Sequence, residues 1–379
     1  MRGATRAAPI ILAAGGTGGH IFPAEALARE LVERGRAVAL MTDRRGQSFG
    51  DRVPGVATHR VLAGRFDAGA LGKLRGIAEL MLGTAQAGII LRRLRPAAVV
   101  GFGGYPSVPT LMAASRLGYP TVIHEQNALL GRANRLLARR ARRIALSFAE
   151  TGGLRPAERR RAVATGNPVR PAIAALRGRA YAVPQQGGSI ELLVLGGSQG
   201  ARVFSLVIPD ALALLPPALR GRLRLSQQAR PEDLERVRAR YAADGIPADL
   251  ASFFDDVPAR LARAQLVIAR AGASTVAELC AIGRPAVLVP YPHAADDHQT
   301  ANAEAVAAAG AGWAIGQAQF TAERLAGLLA ELLGAPDRLA RAAAAAHALG
   351  RPEAARRLAD LALAPSGGNG DAAPQERAA

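Results

Sequence analysis

Near its amino terminus the chain reads PIILAAGGTGGH (residues 9–20), an apolar run of strand length that leads into a glycine-rich turn and then a helical pattern over residues 21–34. The same succession returns at residues 190–201 as IELLVLGGSQGA, ahead of a second helical pattern over residues 202–215. A glycine turn that opens a helix presents backbone N–H groups at the positive end of the helix dipole, which favours phosphate. The repeated unit predicts two similar α/β domains and a diphosphate ligand.

The composition is that of a two-domain protein. The chain has 379 residues, half of them hydrophobic, which is enough for a sizeable core. Cys280 is the only cysteine, so an intrachain disulfide and a cysteine zinc cluster are excluded. This cysteine usage is typical of the reducing cytoplasm.

Positive charge is concentrated in the first half. Residues 1–170 hold 27 Lys and Arg against 10 Asp and Glu, whereas the rest of the chain holds 21 and 20. A basic surface attracts nucleic acid, anionic lipid or phosphorylated substrates, although a high-GC coding bias also enriches arginine. Only 4% of the residues are aromatic and none of the usual modules is present, so we expect no nucleic-acid partner.

Short apolar runs alternate with helical patterns in both halves, which is typical of parallel sheets with crossover helices. The predicted strands are Ile10–Ala13, Ala37–Met41, Ala97–Gly101, Thr121–His124 and Arg143–Leu146, then Glu191–Leu195, Arg222–Ser226, Ala251–Phe254, Leu266–Ala269 and Ala286–Val289. The last predicted helices are Ala322–Leu333, Asp337–Leu349 and Pro352–Leu363.

The turn-rich segment TGNPVRP (residues 165–171) marks the predicted domain boundary. We predict an N-terminal domain over residues 1–166 and a C-terminal domain over 167–345. A last helix within 346–365 is expected to pack back on the N-terminal domain. The small, polar tail over 366–379 is predicted to be disordered.

Further loops place polar groups after predicted strands, at the sheet edge where α/β folds bind ligands. In the first half these loops are GFGGYPS (residues 101–107) and HEQN (124–127). In the second half RAGASTVAE (270–278) opens a helix. Glu278 lies one turn into it, where a carboxylate can accept hydrogen bonds from two ribose hydroxyls or simply stabilise the helix start. Gln299 and Asn302 share a helix face and suit sugar hydroxyls, or cap the helix.

A dinucleotide-binding fold is the main alternative for the first loop. Asp43 follows the second strand, about where a ribose-binding acid would lie. However, GGTGGH does not fit G-x-G-x-x-G in any register. A purely structural turn also stays open.

The motifs GGTGGH, GFGGYPS, HEQNA, GNPVR, GGSQGA, FFDDV, RAGASTVAE and DDHQTANA occur in the order and spacing of the MurG family, and the chain resembles this family over about residues 8–365. The resemblance implies the α/β GT-B architecture, in which two Rossmann-like domains with parallel sheets face each other across a cleft. It also implies an inverting hexosyltransferase that moves GlcNAc from UDP-GlcNAc to the muramyl 4-hydroxyl of lipid I (undecaprenyl-pyrophosphoryl-MurNAc-pentapeptide). The product would be lipid II, for peptidoglycan synthesis and hence cell wall biogenesis, shape and division.

The resemblance implies a donor site mostly in the second half. Glu278 would hold the ribose, the Phe254 backbone the uracil, and Gln299 and Asn302 the GlcNAc hydroxyls. The other implied donor-binding positions are Thr17, Gly18, Gly19, Asn127, Arg170, Ser198, Ala273, Ser274, Thr275, Val276 and Ala277. The implied acceptor loop contains Gly103, Gly104 and Tyr105. The stretch from His293 to Gln299 is one residue longer than the family pattern.

Inverting transfer is a single displacement and needs a base for the acceptor hydroxyl. His20 is the candidate base, since a histidine pKa is ordinarily about 6.5. Glu125 is the alternative base, and His20 could instead be a loop or capping residue. No Asp-x-Asp tripeptide is present. We therefore predict no metal cofactor, with the helix start at Ala273–Thr275 meeting the diphosphate charge.

An enzyme with a lipid-linked acceptor must act at a membrane surface. Segment Leu71–Leu94 carries Leu74, Ile77, Leu80 and Met81 at helical spacing beside Lys73 and Arg75, which is typical of an interfacial helix or of a buried core helix. The basic first half would add attraction to anionic lipid. Residues 132–143 form either a second lipid-facing basic patch or a solvated helix face.

We therefore expect a peripheral protein on the cytoplasmic face of the inner membrane. By resemblance, cell-wall synthesis proteins are further candidate partners. Alternatives within the fold are a GT-B enzyme with another lipid acceptor and a non-hydrolysing UDP-GlcNAc epimerase. The loops at Gly103–Tyr105 and His124–Gln126 would determine the acceptor specificity that distinguishes these enzymes.

Overall fold

The structure is a computed structural model that describes residues 8–15, 18–44, 53–64, 69–197 and 200–364. Thr17, Ser198 and the predicted tail lie outside the described residues. The strands are β1 Ile10–Ala13, β2 Val38–Thr42, β3 Ala57–Arg60, β4 Ala98–Gly101, β5 Thr121–Glu125, β6 Arg143–Leu146, β7 Ala162–Ala164, β8 Ile190–Leu195, β9 Leu223–Gln228, β10 Ala248–Ala251, β11 Leu266–Ala269, β12 Ala286–Leu288 and β13 Gly312–Ala314.

Helices connect these strands. They are α1 Gly18–Glu33, α2 Ala70–Leu94, α3 Ser107–Arg116, α4 Arg132–Ala138, α5 Pro156–Arg159, α6 Pro171–Ala174, α7 Arg202–Ala213, α8 Pro217–Arg220, α9 Leu234–Ala243, α10 Val257–Arg263, α11 Ala273–Ala281, α12 His298–Ala308, α13 Ala322–Gly334, α14 Pro336–Leu349 and α15 Ala354–Leu363.

The strands form two parallel sheets with the same topology. The first has the order β3-β2-β1-β4-β5-β6-β7 and the second β10-β9-β8-β11-β12-β13. Counted from its own first strand, each sheet begins 3-2-1-4-5-6, which is the Rossmann order. The strand order reverses between β1 and β4, and again between β8 and β11. Ligands bind at these two switch points in such sheets, and the two glycine loops follow β1 and β8.

Helices cover both faces of the first sheet, which explains why its central strands read as continuous apolar runs. Ile10 and Leu12 of β1 pack in a cluster with α1 and α15. Ile11 and Ala13 point to the other face and pack with residues of α2, α3 and α4. In the pairing register Ile10 lies opposite Val38 on one side and Ala98 on the other.

The predicted strands lie where expected with one exception. The strand predicted at Ala251–Phe254 was wrong by three residues, since β10 ends at Ala251. This edge strand is only partly buried, so its pattern of apolar residues is weak. The apolar pair Phe253–Phe254 led to a prediction that lies too far along the chain. The short strands β3, β7 and β13 were missed because each has only three or four residues at or near a sheet edge.

The chain passes between the two sheets twice. The first passage follows β7 at Gly166 and Asn167, and the second lies between α14 and α15 at Gly350 and Arg351. After it, α15 packs into the core of the first sheet through Leu358, Ala359 and Ala362. This packing joins the end of the described chain to the N-terminal half.

Candidate functional site

Two glycines after β4 make room for the imidazole of His20. Gly103 and Gly104 have φ of +80° and +70°, which side chains rarely adopt. A Cβ atom added at Gly104 would lie 3.3 Å from Cδ2 and 3.4 Å from Nε2 of His20. The structure therefore brings together the two predicted loops at the first switch point.

A chain of hydrogen bonds determines which nitrogen of His20 carries its proton. His124 Nε2 lies 3.0 Å from the Gly166 carbonyl, so this nitrogen must be the donor. Its Nδ1 then accepts from Gln126 Nε2 at 3.0 Å, and the same amide nitrogen also donates to the Phe102 carbonyl at 2.9 Å. Gln126 Oε1 is left to accept from His20 Nδ1 at 3.3 Å. In this network the lone pair of His20 is on Nε2.

Both histidines are held neutral by their surroundings. Burial lowers the pKa of His20 below its usual value, against opposing contributions from the Glu125 charge and from hydrogen bonds to Gln126 and the Phe102 carbonyl. Burial lowers the pKa of His124 to about 4. Neutral His20 with a free Nε2 lone pair can accept a proton near pH 7.

The carboxylate of Glu125 is already saturated with donors. Its Oε1 accepts from the backbone and the side-chain amide of Asn127 at 3.0 and 3.1 Å. Its Oε2 accepts from Gly131 N and Asn134 Nδ2, both at 2.9 Å. Glu125 is 1% exposed. The geometry therefore favours His20 over Glu125 as a base, and makes Glu125 the organiser of its loop.

A cavity of about 270 Å³ opens in front of His20 between the two halves of the chain. The first half contributes the predicted acceptor-loop residues Gly103, Gly104 and Tyr105. The second half contributes Ala295, Asp296 and His298. The predicted first-half residues thus meet in one cleft, whereas the donor residues predicted in the second half are not among the described residues that line it.

The segment between His293 and Gln299 forms the far wall of this cleft. Asp296 and Asp297 both have φ of +53°, in the left-handed region. This conformation costs on the order of 1–2 kcal/mol per non-glycine residue, although aspartate tolerates it better than most. Asp296 forms an ion pair with Arg132 of the first half at 2.7 Å, which offsets part of that cost. Asp296 and Asp297 therefore form a left-handed turn that bridges the cleft.

The candidate donor site is at the start of α11. No side chain caps this helix, and Ser274 Oγ is buried without a hydrogen-bond partner among the described residues. One turn further on, Glu278 accepts two hydrogen bonds from Arg170, at 2.6 Å from Nε and 2.8 Å from Nη2. The pair raises the pKa of Arg170. Two residues predicted separately for the donor thus form one bidentate unit.

Asn302 lies in the contact between the halves. It is 0% exposed, and its Oδ1 accepts from Ala128 N at 2.7 Å. Its Nδ2 donates to Asn127 Oδ1 and to the Ala271 carbonyl. A sugar hydroxyl could bind Asn302 only by displacing these hydrogen bonds. In the structure Asn302 therefore connects the two halves, which is a different role from the predicted contact with the sugar. Gln299 accepts from Tyr291 N through Oε1, and its Nε2 has no partner in the described part of the chain.

Phe254 and its neighbour face different surroundings. The Phe254 ring is buried, with the Arg260 guanidinium 3.9 Å from its centroid, which is compatible with a role for its backbone alone. Phe253 is 67% exposed and was missed by sequence reasoning. It lies beside the residue expected to contact uracil, and an exposed aromatic ring there is able to stack on a base.

The described residues contain no group of three or more His, Cys, Asp or Glu side chains placed to hold a metal ion. The adjacent aspartates at 296 and 297 are engaged with Arg132 and Thr300.

Comparison with known families agrees with this geometry. Residues 10–146 match the glycosyltransferase family 28 N-terminal domain, and residues 191–358 match the glycosyltransferase family 28 C-terminal domain. The chain belongs to glycosyltransferase family 28. It is therefore a glycosyltransferase, and the predicted GT-B fold is confirmed.

Relatives within the family cover almost the whole chain. A protein from Rhodospirillum centenum is 60% identical over 98% of this chain and 98% of its own length. One from Rhodospirillum rubrum is 58% identical over 94% of this chain and 91% of its own length. Both are named UDP-N-acetylglucosamine–N-acetylmuramyl-(pentapeptide) pyrophosphoryl-undecaprenol N-acetylglucosamine transferase. The resemblance to the MurG family is thereby confirmed.

Solved structures give the same result. The crystal structure of Acinetobacter baumannii MurG superposes with a TM-score of 0.78 at 31% identity, covering 93% of this chain and 98% of that one. A UDP-GlcNAc 2-epimerase from Neisseria meningitidis superposes with a TM-score of 0.63 at 13% identity, covering 93% of this chain and 98% of that one. The second likeness shows only a shared fold.

Proposed function

We propose that this glycosyltransferase moves GlcNAc from UDP-GlcNAc to the muramyl 4-hydroxyl of lipid I, with inversion, and forms lipid II. The names of the relatives and the family match support the donor and the acceptor. The observation that carries the mechanism is the position of His20, whose unprotonated Nε2 lies at the cleft shared by both halves.

In the proposed step His20 Nε2 takes the proton of the acceptor hydroxyl as its oxygen attacks the anomeric carbon. The bond from that carbon to the diphosphate breaks on the opposite face, and UDP leaves. The imidazolium formed at His20 is stabilised because its Nδ1–H bond to Gln126 Oε1 becomes charge-assisted. Glu125, nearby but fully hydrogen-bonded, adds a favourable negative charge.

The donor would lie on α11 with its diphosphate at the helix start. Backbone N–H groups of Ala273–Thr275 and the unpartnered hydroxyl of Ser274 suit phosphate oxygens, and the helix dipole favours their charge. Glu278 would accept the ribose hydroxyls while Arg170 keeps its carboxylate oriented. The proposal assigns no metal to the step, because this helix start supplies positive potential to the leaving group.

The test is transfer of labelled GlcNAc from UDP-GlcNAc to a lipid I analogue. His20→Ala should lose most of kcat, on the order of 100-fold or more for a general base. His59→Ala, on strand β3, is the matched histidine control and should retain activity. Loss in both variants would contradict the role of His20. Failure of the wild type to make product while it still binds UDP-GlcNAc would refute the acceptor and leave the donor site standing.

We further propose that the enzyme docks on anionic membranes through α2. Leu74, Ile77 and Met81 repeat at helical spacing and are exposed, Met81 at 68%. Another face of α2 packs against the first sheet, where Ala87 and Leu91 are buried. Leu74–Leu94 is also long and apolar enough to cross a membrane, and most of its apolar stretch is not buried in the protein. A helix that packs on the protein core with one face and exposes apolar side chains on the other is suited to lie at the membrane–water interface.

Vesicle co-sedimentation tests this docking. Met81→Glu should weaken binding to vesicles that contain anionic lipid, with activity on a water-soluble acceptor unchanged. Leu214→Glu places the same charge at an exposed leucine of the second half, 57% exposed, and should leave vesicle binding unaltered. Equal binding by wild type and Met81→Glu would rule out this surface.

A further inference from the structure

A second cavity, which we call the hinge cavity, lies where the chain passes between the halves. Its volume is about 150 Å³. Gly166 and Asn167 of the first passage line it, as do Gly350 and Arg351 of the second. It is separate from the cleft in front of His20 and shares no lining residue with it.

The walls of the hinge cavity are tightly built. Gly166 has φ of +85°, and a Cβ atom added there would lie 2.5 Å from Cβ of Arg351. A Cβ at Gly350 would collide with the Cys280 carbonyl. The two passages therefore touch each other and the end of α11, and glycine is required at both contacts.

The cavity contains an unpartnered amide. Asn167 is 4% exposed, and neither its Oδ1 nor its Nδ2 has a hydrogen-bond partner among the described residues. Ser147 Oγ, on the same wall, is also buried without one. Leaving such a group unsatisfied costs about 1–3 kcal/mol. A ligand that satisfies both ends of the amide would recover that cost.

The remaining lining selects for the rest of the ligand. Phe148, Val276 and Val306 are apolar, and the guanidinium of Arg351 is held by the carbonyls of Ala348 and Gly350. The lining contains no carboxylate among the described residues, so a cation would lose its hydration without a counter-charge. The donor and acceptor of the Asn167 amide are best matched by a neutral group that carries one of each. A cavity of about 150 Å³ accommodates a small molecule that contains one aromatic ring.

We propose that the hinge cavity is a binding site for a small neutral carboxamide with a compact apolar group. A primary carboxamide presents one donor and one acceptor side by side and can pair with both atoms of the Asn167 amide. The apolar group would lie against Val276 and Val306. This cavity is distinct from the cleft in front of His20, although its wall includes Ala273, Val276 and Ala277 of the donor helix α11.

A ligand in the hinge cavity would affect both the donor helix α11 and the hydrogen-bond chain that leads to His20. Ala273, Val276 and Ala277 of α11 line the cavity, and the same helix carries the candidate donor site. Gly166 also lines it, and its carbonyl anchors His124 at the start of the hydrogen-bond chain that leads to His20. A bound ligand therefore restrains the donor helix and the passage beside the base together.

Cys280 provides a direct probe, because it lines the hinge cavity and is the only cysteine in the chain. Burial raises the pKa of its thiol to about 12, so modification requires opening of this region. The experiment measures the rate of Cys280 modification by N-ethylmaleimide in the full chain, with benzamide as the carboxamide probe. Ethylbenzene is the matched probe of similar shape without hydrogen-bonding groups.

Benzamide should slow modification saturably, about fivefold at four times its Kd, whereas ethylbenzene should protect less. Asn167→Leu should abolish the preference for benzamide. Ala305→Leu, which narrows the cavity from α12, should abolish protection by both probes and serves if Asn167→Leu fails to fold. No protection by benzamide in the wild type, or equal protection by the two probes, would overturn the proposal.

Discussion

Replacing Gln126 by leucine should damage the base without touching the donor. Gln126 Oε1 is the acceptor for His20 Nδ1–H, and Gln126 Nε2 is held by the Phe102 carbonyl and His124 Nδ1. Leucine has a similar volume, but it can neither accept the hydrogen bond from His20 nor donate to the Phe102 carbonyl and His124. His20 then loses the partner that keeps its proton on Nδ1 and its lone pair on Nε2.

The magnitude follows from the charge that develops on His20. In the transition state the imidazole becomes a cation, and its bond to Gln126 becomes charge-assisted, worth about 1.5–3 kcal/mol. This corresponds to a fall in kcat of about 10- to 150-fold. The distance of 3.3 Å is at the long end for such a bond, so the lower part of that range is expected. The KM for UDP-GlcNAc should change by less than about twofold, since the hydrogen bonds of the Gln126 side chain go to His20, Phe102 and His124 and to no proposed donor residue among the described residues.

The pH profile separates this role from a merely structural one. Because the base must be neutral, kcat/KM falls as pH falls through the pKa of His20 in the folded protein. Burial lowers that pKa, so the acid limb of the wild type should lie below about pH 6.5. The bond to Gln126 raises the pKa against this trend. Gln126→Leu should therefore have a lower plateau and an acid limb shifted to still lower pH.

Gln265→Leu is the matched control. Gln265 is also buried and also holds two backbone groups, accepting from Glu191 N and donating to the Ala182 carbonyl. Both variants should lose about 1–3 kcal/mol of unfolding free energy, from orphaned backbone groups. Only Gln126→Leu should change kcat and the pH profile. Unchanged kcat in Gln126→Leu, or an equal loss in Gln265→Leu, would refute the reasoning.

Three further substitutions test the neighbouring contacts. Glu278→Gln removes the charge that pairs with Arg170, and the KM for UDP-GlcNAc should rise about tenfold, with kcat within about twofold, in a donor titration. Asn302→Leu leaves Ala128 N–H without its acceptor and should cost about 1–3 kcal/mol of unfolding free energy in urea; an unchanged midpoint would contradict its interdomain role. Phe253→Ala should raise the donor KM with no loss of thermal stability, because its ring is exposed; equal KM values would exclude stacking.

Most of the fold was predictable from the sequence because its signals are local. An apolar run of four to six residues, a turn that needs glycine and an amphipathic helix each depend on near neighbours. Strands β1, β6 and β11 accordingly begin and end where the pattern places them. Edge strand β10 could not be placed this way, because an edge strand is specified by its pairing with β9 more than by its own residues.

The two strand–turn–helix units, the loops that carry the candidate site and the family to which they belong could all be predicted from the order of the residues. Three features needed the folded chain: which nitrogen of His20 is free, the saturation of Glu125 with donors, and the burial of Asn302 between the halves. The reason is separation along the chain. His20 and Gln126 lie 106 positions apart, and Ala128 and Asn302 lie 174 apart. Proton position and burial depend on such distant partners, which meet only when the two sheets pack.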